Sequence, residues 1–143
     1  MPERVRMDLD ASKAARREAR GGGPIITHNG REFELVDEPG GDVVDSLEDV
    51  GAVLERQAEV RVEQEVARQA GDKDAVAALD EELGRLGFRS LAALRAVCQG
   101  LFPNGSWELF LEGKPSLLDY ATIVRGIDQL YDLSMGESEA SGS

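Results

Sequence analysis

The sequence has one cysteine and one histidine in 143 residues. A lone cysteine cannot close an intramolecular disulfide, and this composition is typical of proteins that fold in a reducing compartment. A zinc site of the common type draws its ligands from several cysteine and histidine residues, so the sequence predicts no such site. We expect neither a disulfide framework nor a bound metal ion.

Long apolar runs and aromatic residues are also scarce. No stretch approaches the roughly 18 apolar residues that a membrane-spanning helix needs, and we expect no secretory leader. Aromatic residues make up 5% of the chain, so few side chains can each bury a large area. Leu, Val, Ile and Phe reach about a quarter of the chain, above the roughly 20% below which a charged chain stays disordered. A modest core is therefore possible.

Basic residues are fewer than acidic ones. Lys and Arg number 16 against 28 Asp and Glu, a formal net charge of −12, which favours solubility and repels nucleic acid. The first 24 residues differ, because they contain six basic and four acidic residues and carry a net charge of +2. The remaining residues therefore carry −14. We interpret residues 1–23 as a flexible basic arm with a short helix from Ser12, its N-cap, to Arg20. A solvated tail is the simpler interpretation of this arm, and a nucleic-acid contact is the alternative.

The clearest local pattern that is present is a β-hairpin over residues 25–35. Asn29-Gly30 separates two β-rich runs, and this dipeptide is typical of a two-residue type I′ turn. The turn pairs His28 with Arg31 and places Ile26 and Phe33 opposite each other on one face. We expect His28, next to the turn, to be exposed rather than a ligand or a base. Since a two-stranded hairpin alone is marginally stable, it must pack on the helices or on a partner.

Helical periodicity begins after the Pro39-Gly40-Gly41 loop. The spacing predicts a long amphipathic helix that ends at Gly71, with one narrow apolar stripe formed by Leu47, Val50, Leu54, Ala58, Val62 and Val66. Asp72 or Asp74 can cap a second segment that contains Val76, Leu79 and Leu83. Two arrangements stay open, a loosely packed helical hairpin and a pair of helices that lie on a partner.

The C-terminal third predicts shorter helices. One is capped by Ser90 and contains Cys98, which we expect to be a small buried residue. A second runs from a Ser106 cap to Leu111. Ser116 and Asp119 form a capping box at the start of the last helix, which we expect to end by Gly136. Residues 136–143 are small, polar and acidic, and we expect a disordered tail.

These patterns predict a mainly α fold with a small N-terminal β-hairpin (α+β). We expect a single helical domain over residues 24–135, with flexible termini on either side. Within it, the β-hairpin covers residues 25–35, a helical insertion covers 50–85, and the C-terminal helices cover 90–135.

Catalytic motifs are missing from the sequence. It has no phosphate-binding loop and no nucleophile elbow, and the adjacent carboxylates Glu81 and Glu82 point to different faces of a helix. We expect no enzyme activity and no cofactor. Apolar helical faces remain as the functional feature, and the candidate partner-binding residues are Trp107, Phe110, Leu111, Tyr120, Ile123, Leu130 and Tyr131. The same residues would fit a core, which is the commoner use of such stripes.

Three segments together resemble the short tail assembly chaperones of long-tailed (siphovirus-type) actinobacterial phages. The first is Ala11-Ser12-Lys13-Ala14-Ala15-Arg16-Arg17-Glu18-Ala19-Arg20, and the second is the β-hairpin. The third is Trp107-Glu108-Leu109-Phe110-Leu111-Glu112-Gly113-Lys114-Pro115-Ser116-Leu117, followed by residues 130–138. The resemblance covers residues 11–47 and 90–138. Residues 50–85 lie outside it, and we interpret them as a lineage-specific insertion.

The resemblance implies a role without catalysis. Such chaperones hold the tape measure protein soluble until the major tail protein polymerises around it. The implied partners are the tape measure protein, and with it the major tail protein and a longer, frameshifted form of the chain itself. The resemblance implies action in the cytoplasm of the infected bacterium and absence from the mature virion, with no nucleic acid and no membrane as partner. The alternatives are a structural tail or head–tail protein retained in the virion, and a small nucleic-acid-binding regulator.

Overall fold

The computed structural model describes residues 4–131. Within these residues, six helices and one β-hairpin follow one another: α1 (Leu9–Arg20), β1 (Ile25–His28), β2 (Arg31–Glu34), α2 (Gly41–Ala70), α3 (Lys73–Leu101), α4 (Ser106–Glu112), α5 (Leu117–Arg125) and α6 (Ile127–Tyr131). The mainly α fold with a small β-hairpin is confirmed. The predicted tail at 136–143, and the part of the last helix beyond residue 131, lie outside the described residues.

The β-hairpin has the predicted register. Ile25 pairs with Glu34, Ile26 with Phe33, and His28 with Arg31. Asn29 and Gly30 both have positive φ angles, 52° and 76°, as a type I′ turn requires. Phe33 is buried and Ile26 packs against the core, so the predicted apolar face is the inner face.

Helices α2 and α3 form an antiparallel helical hairpin with a tight turn. Gly71, at φ 72°, ends α2, and the Asp72 carboxylate caps α3 by accepting from the Ala75 amide at 3.1 Å. Both ends match the sequence prediction. Ser90 does not begin a helix, because α3 continues without a break through it. Packing against α2 keeps α3 helical through Gly84 and Gly87, which propensity alone disfavours.

The buried face of α2 differs from the predicted one. The buried residues are Val43, Val50, Val53, Val60, Gln64 and Ala67, whose steps of three, four and seven residues follow the heptad spacing of paired helices. Leu54, Val62 and Val66, which belong to the predicted apolar stripe, are exposed. Successive four-residue steps turn about 40° around a helix, so the predicted stripe spirals away from any flat contact.

The apolar interior has two parts. A small cluster of Val53, Val60 and Leu86, with Leu79 and Leu83 packed beside it, lies within the helical hairpin. The main core lies at the base of the helical hairpin, where the β-hairpin and α4–α6 pack on the end of α3. We call this region the head. A backbone hydrogen bond connects the head to the helical hairpin, because the Val36 N–H donates to the Leu101 carbonyl at 2.8 Å.

The terminal helices depart from prediction in their boundaries. Helix α1 begins one turn before Ser12, because the Asp8 carboxylate caps it by accepting from the Ala11 amide at 3.0 Å. Gly105, at φ 88°, is the N-cap of α4, and Ser106 is its first helical residue. The capping box of Ser116 and Asp119 is present as predicted. The last helix is divided at Gly126 into α5 and α6.

Two valines of α2 offer a direct test of its buried face. Val60 is fully buried and Val62 is 66% exposed, although they are two residues apart. We expect Val60→Ala to lower the free energy of unfolding by about 2 kcal/mol, from two lost methyl groups and the cavity they leave. Val62→Ala, the matched control, should change it by less than about 0.5 kcal/mol. Urea unfolding followed by circular dichroism measures both, and a larger loss for Val62→Ala would contradict the assigned face.

Candidate partner-binding site

Four of the seven candidate residues lie in the core of the head. Trp107, Phe110, Tyr120 and Tyr131 are all buried. The rings of Trp107, Phe110 and Tyr120 pack on one another, with centroids 5.7 Å apart for Trp107 and Phe110, and the Tyr131 hydroxyl donates to the Val36 carbonyl at 2.8 Å. These four side chains hold the head together, so their prediction as a partner surface is corrected. A buried aromatic residue and an exposed one have the same helical spacing, which is why the pattern alone could not separate them.

The other three candidate residues lie at the edge of the core. Leu111, Ile123 and Leu130 are half-buried and pack against it with one side. Ile123 and Leu130 also line an open groove of about 360 Å³ between β1 and the last two helices. The structure therefore brings two of the predicted residues together at one accessible site.

The groove has an apolar floor and a polar rim. Its lining residues are Ile26, Thr27 and His28 of β1, Phe110 of α4, Asp119, Thr122 and Ile123 of α5, and Gly126, Gln129 and Leu130 at α6. Such a site, apolar with a few convergent polar groups, is the usual form of a binding site on a protein surface. The sequence pattern contained no indication of it, because β1 and α5 lie about 90 residues apart in the chain.

His28 lines the groove and is not exposed as we predicted. Its side chain retains only 17% of its accessible surface, and its ring lies on that of Phe110 with centroids 5.1 Å apart. The side-chain Nδ2 of Asn29 donates to the Gly113 carbonyl at 2.9 Å, which holds the turn against the loop between α4 and α5. A Cβ atom at Gly113 would lie 2.9 Å from His28 Nδ1, so any larger residue there would displace the His28 ring.

Asp119 links the groove to the helix cap. Its Oδ2 accepts from the Ser116 amide at 2.7 Å and lies 3.4 Å from His28 Nε2. The hydrogen bond from the Ser116 backbone, followed by the Ser116 side chain and the nearby His28, lowers the pKa of Asp119 below its ordinary 3.8. The groove therefore keeps a negative charge at its rim at neutral pH.

The helical hairpin has a second set of accessible apolar side chains. Six large apolar residues project from it into solvent: Val44, Leu54, Val62, Val66, Phe88 and Leu91. We call them the exposed hairpin residues. Residues 41–101 contain 13 acidic and 7 basic residues, so these side chains stand on an acidic surface. Arg56 binds three carboxylates there, with Glu82 Oε2 at 2.7 Å from its Nε, and its charge is already compensated.

Helix α1 holds its basic residues against the loop after β2. Arg16 forms an ion pair with Glu38, and Arg17 forms one with Asp37. The hydrogen bond from Arg16 lowers the pKa of Glu38. None of the α1 residues is buried, and exposed ion pairs of this kind contribute little stability. They nevertheless direct two of the six basic side chains of the arm to carboxylates of the same chain, away from a phosphate backbone.

Cys98 is buried, as predicted. Burial raises its pKa to about 12, so the thiol is protonated at neutral pH and is a poor nucleophile. Among residues 4–131, no group of three or more His, Cys, Asp or Glu side chains is placed to bind a metal ion. Over the same residues, no helix has both the length and the apolar character to cross a membrane.

Comparison with known proteins identifies no relative of this chain. No protein-family model, curated protein or solved structure matches this chain.

The lowered pKa of Asp119 predicts a pH-dependent contribution to stability. The folded state releases this proton more readily than the unfolded state, so the contribution is complete above the ordinary pKa of 3.8 and is lost as pH falls through the lowered value. We expect wild type to be more stable than Asp119→Asn near neutral pH and this difference to disappear in acid.

Urea unfolding between about pH 6 and about pH 2 measures the difference. Asp128→Asn, which removes one charge from the neighbouring helix α6, is the control for net charge. A stability difference between wild type and Asp119→Asn that stays constant over this range would show that the carboxylate contacts contribute nothing.

Proposed function

We propose that this protein is a phage tail assembly chaperone. It binds the tape measure protein in the cytoplasm of the infected bacterium and keeps it soluble until the major tail protein polymerises around it. The observation that carries the proposal is the set of exposed hairpin residues, with Phe88 79% exposed, on a chain of net charge −12. Six large apolar side chains left in solvent on one helical hairpin supply apolar area that a partner can cover.

The physical basis of this function is the temporary covering of apolar helical faces. A long tape measure protein exposes such faces before the tube forms, and a helix can bind another apolar surface through side chains spaced three and four residues apart. The exposed hairpin residues extend along helices of about 45 Å, at 1.5 Å per residue. Several weak contacts along one tape measure chain would act together, yet each could be released in turn as tube subunits arrive.

The acidic charge of the chain supports the same role. Each copy carries −12, so copies bound side by side repel one another and the complex stays dispersed. No bond is made or broken in this function, and no cofactor is required. A longer frameshifted form of the chain would add a second binding segment to the same head.

Alanine substitution of the exposed hairpin residues tests the function. We expect the triple variant Leu54→Ala, Val62→Ala, Phe88→Ala to reduce the soluble yield of co-expressed tape measure protein by roughly fivefold, because contact area on the partner is lost. Its own free energy of unfolding should change little, since all three side chains are exposed.

The control is Leu117→Ala with Leu118→Ala, two exposed residues of α5 that do not belong to the helical hairpin. It should leave the soluble yield unchanged. Equal yields from the triple variant and from wild type would reject the helical hairpin as the contact surface.

The exposed hairpin residues would also suit a structural tail protein that stays in the particle. The two functions differ in the composition of the finished virion. A chaperone should be absent or present in traces when purified particles are analysed by mass spectrometry. Stoichiometric copies in the particle would reject the chaperone proposal and support the structural one.

A further inference from the structure

The outer edge of β1 has free hydrogen-bonding groups. The sheet contains only two strands among residues 4–131, and their paired residues alternate between hydrogen-bonded and non-hydrogen-bonded positions. His28 and Arg31 close the two-residue turn, and the Leu35 amide donates to the Pro24 carbonyl at 2.8 Å. This alternation turns the N–H and C=O groups of Ile25 and Thr27 away from β2. Neither residue has a backbone hydrogen bond to another element of the described chain.

The groove described above runs along this edge. Three consecutive residues of β1, Ile26 to His28, line it, and none of β2 does. Successive residues of a strand point to opposite faces, so three in a row can share a groove only where the strand presents its edge. Ile123 and Leu130 form the opposite wall. The site thus combines unpaired backbone groups with apolar side chains on the other side.

We propose that this groove binds an extended segment of another protein, which adds to β1 as a third strand. The N–H and C=O groups of Thr27 and Ile25 would pair with the backbone of the segment, as in other cases of strand addition. Alternate side chains of the segment would then fall between Ile26, Ile123 and Leu130. This binding mode differs from the helical contact proposed for the helical hairpin and does not depend on the chaperone function.

Charge selects the kind of segment. Asp119 is the acidic residue in the groove lining, no Lys or Arg lines the groove, and the chain carries −12. An extended segment that alternates apolar and basic residues therefore complements both the apolar wall and the rim. A second copy of this chain is disfavoured as the occupant, because two copies of charge −12 repel each other. A helical segment is disfavoured as well, since its backbone groups are already paired within the helix.

The probe is an acetylated and amidated octapeptide of alternating lysine and valine. We expect it to bind the full chain and to slow hydrogen exchange of the Thr27 amide, followed by NMR. An octapeptide of alternating glutamate and valine should bind at least roughly tenfold more weakly because of the acidic rim. A lysine–valine peptide N-methylated at every residue has no backbone donor on either edge. It separates strand pairing from charge attraction, because only pairing depends on those donors, and we expect it to bind at least roughly tenfold more weakly.

Proline at the free edge gives the matched pair of variants. Thr27→Pro removes the N–H that faces the groove, whereas Glu32→Pro removes the equivalent N–H on the outer edge of β2, from the same residue pair. Both positions are free edges, where proline is tolerated. We expect Thr27→Pro to weaken peptide binding by roughly tenfold, as the loss of a backbone hydrogen bond implies, and Glu32→Pro to leave it unchanged.

A second pair of variants keeps the test valid if a proline disturbs the hairpin. Thr122→Arg places a bulky cationic side chain in the groove from α5, and Leu117→Arg places one on another face of the same helix, at an exposed residue that does not line the groove. Only Thr122→Arg should weaken binding.

Several results would overturn the proposal. They are no binding below roughly 1 mM peptide, equal weakening by both prolines or by both arginines, and equal binding of the N-methylated peptide. Protection of the Thr27 amide that rises with protein concentration in the absence of peptide would instead assign the edge to self-association.

Discussion

The packing of rings around Phe110 is the interaction on which the head depends. Phe110 is almost fully buried, and its ring lies within 6.5 Å of five others, those of His28, Phe33, Phe102, Trp107 and Tyr120. These rings come from both strands, from the residue that ends α3, and from α4 and α5. A chain with 5% aromatic residues has thus gathered most of them at one point. Phe110 also lines the groove beside β1, so the ring on which these elements meet forms part of the candidate site.

Local features of the fold could be predicted from the sequence because local chemistry decides them. Asn29-Gly30 sets the register of the β-hairpin, Gly71 and Asp72 set the turn of the helical hairpin, and Ser116 with Asp119 starts α5. Each depends on residues within four positions of one another. The direction of the α2 face could not be predicted in the same way, because two faces of that helix carry apolar residues and only the partner helix selects between them. Val60 and Val62 differ in position, not in type.

The candidate site was predictable only in part, for the same reason. Ile123 and Leu130 were identified by helical spacing, but so were Trp107 and Phe110, and packing between distant segments decided which were covered. His28 shows the converse error. Its place beside a turn predicts exposure, yet the contact of the turn with Gly113 draws it inward. Aromatic residues in a chain that has few of them are better assigned to the core first, since no other side chains bury as much area.

The contact between α2 and α3 bears on how long the helical hairpin can be. The buried residues of α2 largely repeat every seven positions, and Gln64 among them is paired with Asp80, a polar contact that fixes the register of the two helices. Removing one heptad from each arm would preserve which faces meet and would leave the base of the helical hairpin, and hence the head, unaltered. The length of the helical hairpin can therefore change by whole heptads while the head keeps its structure.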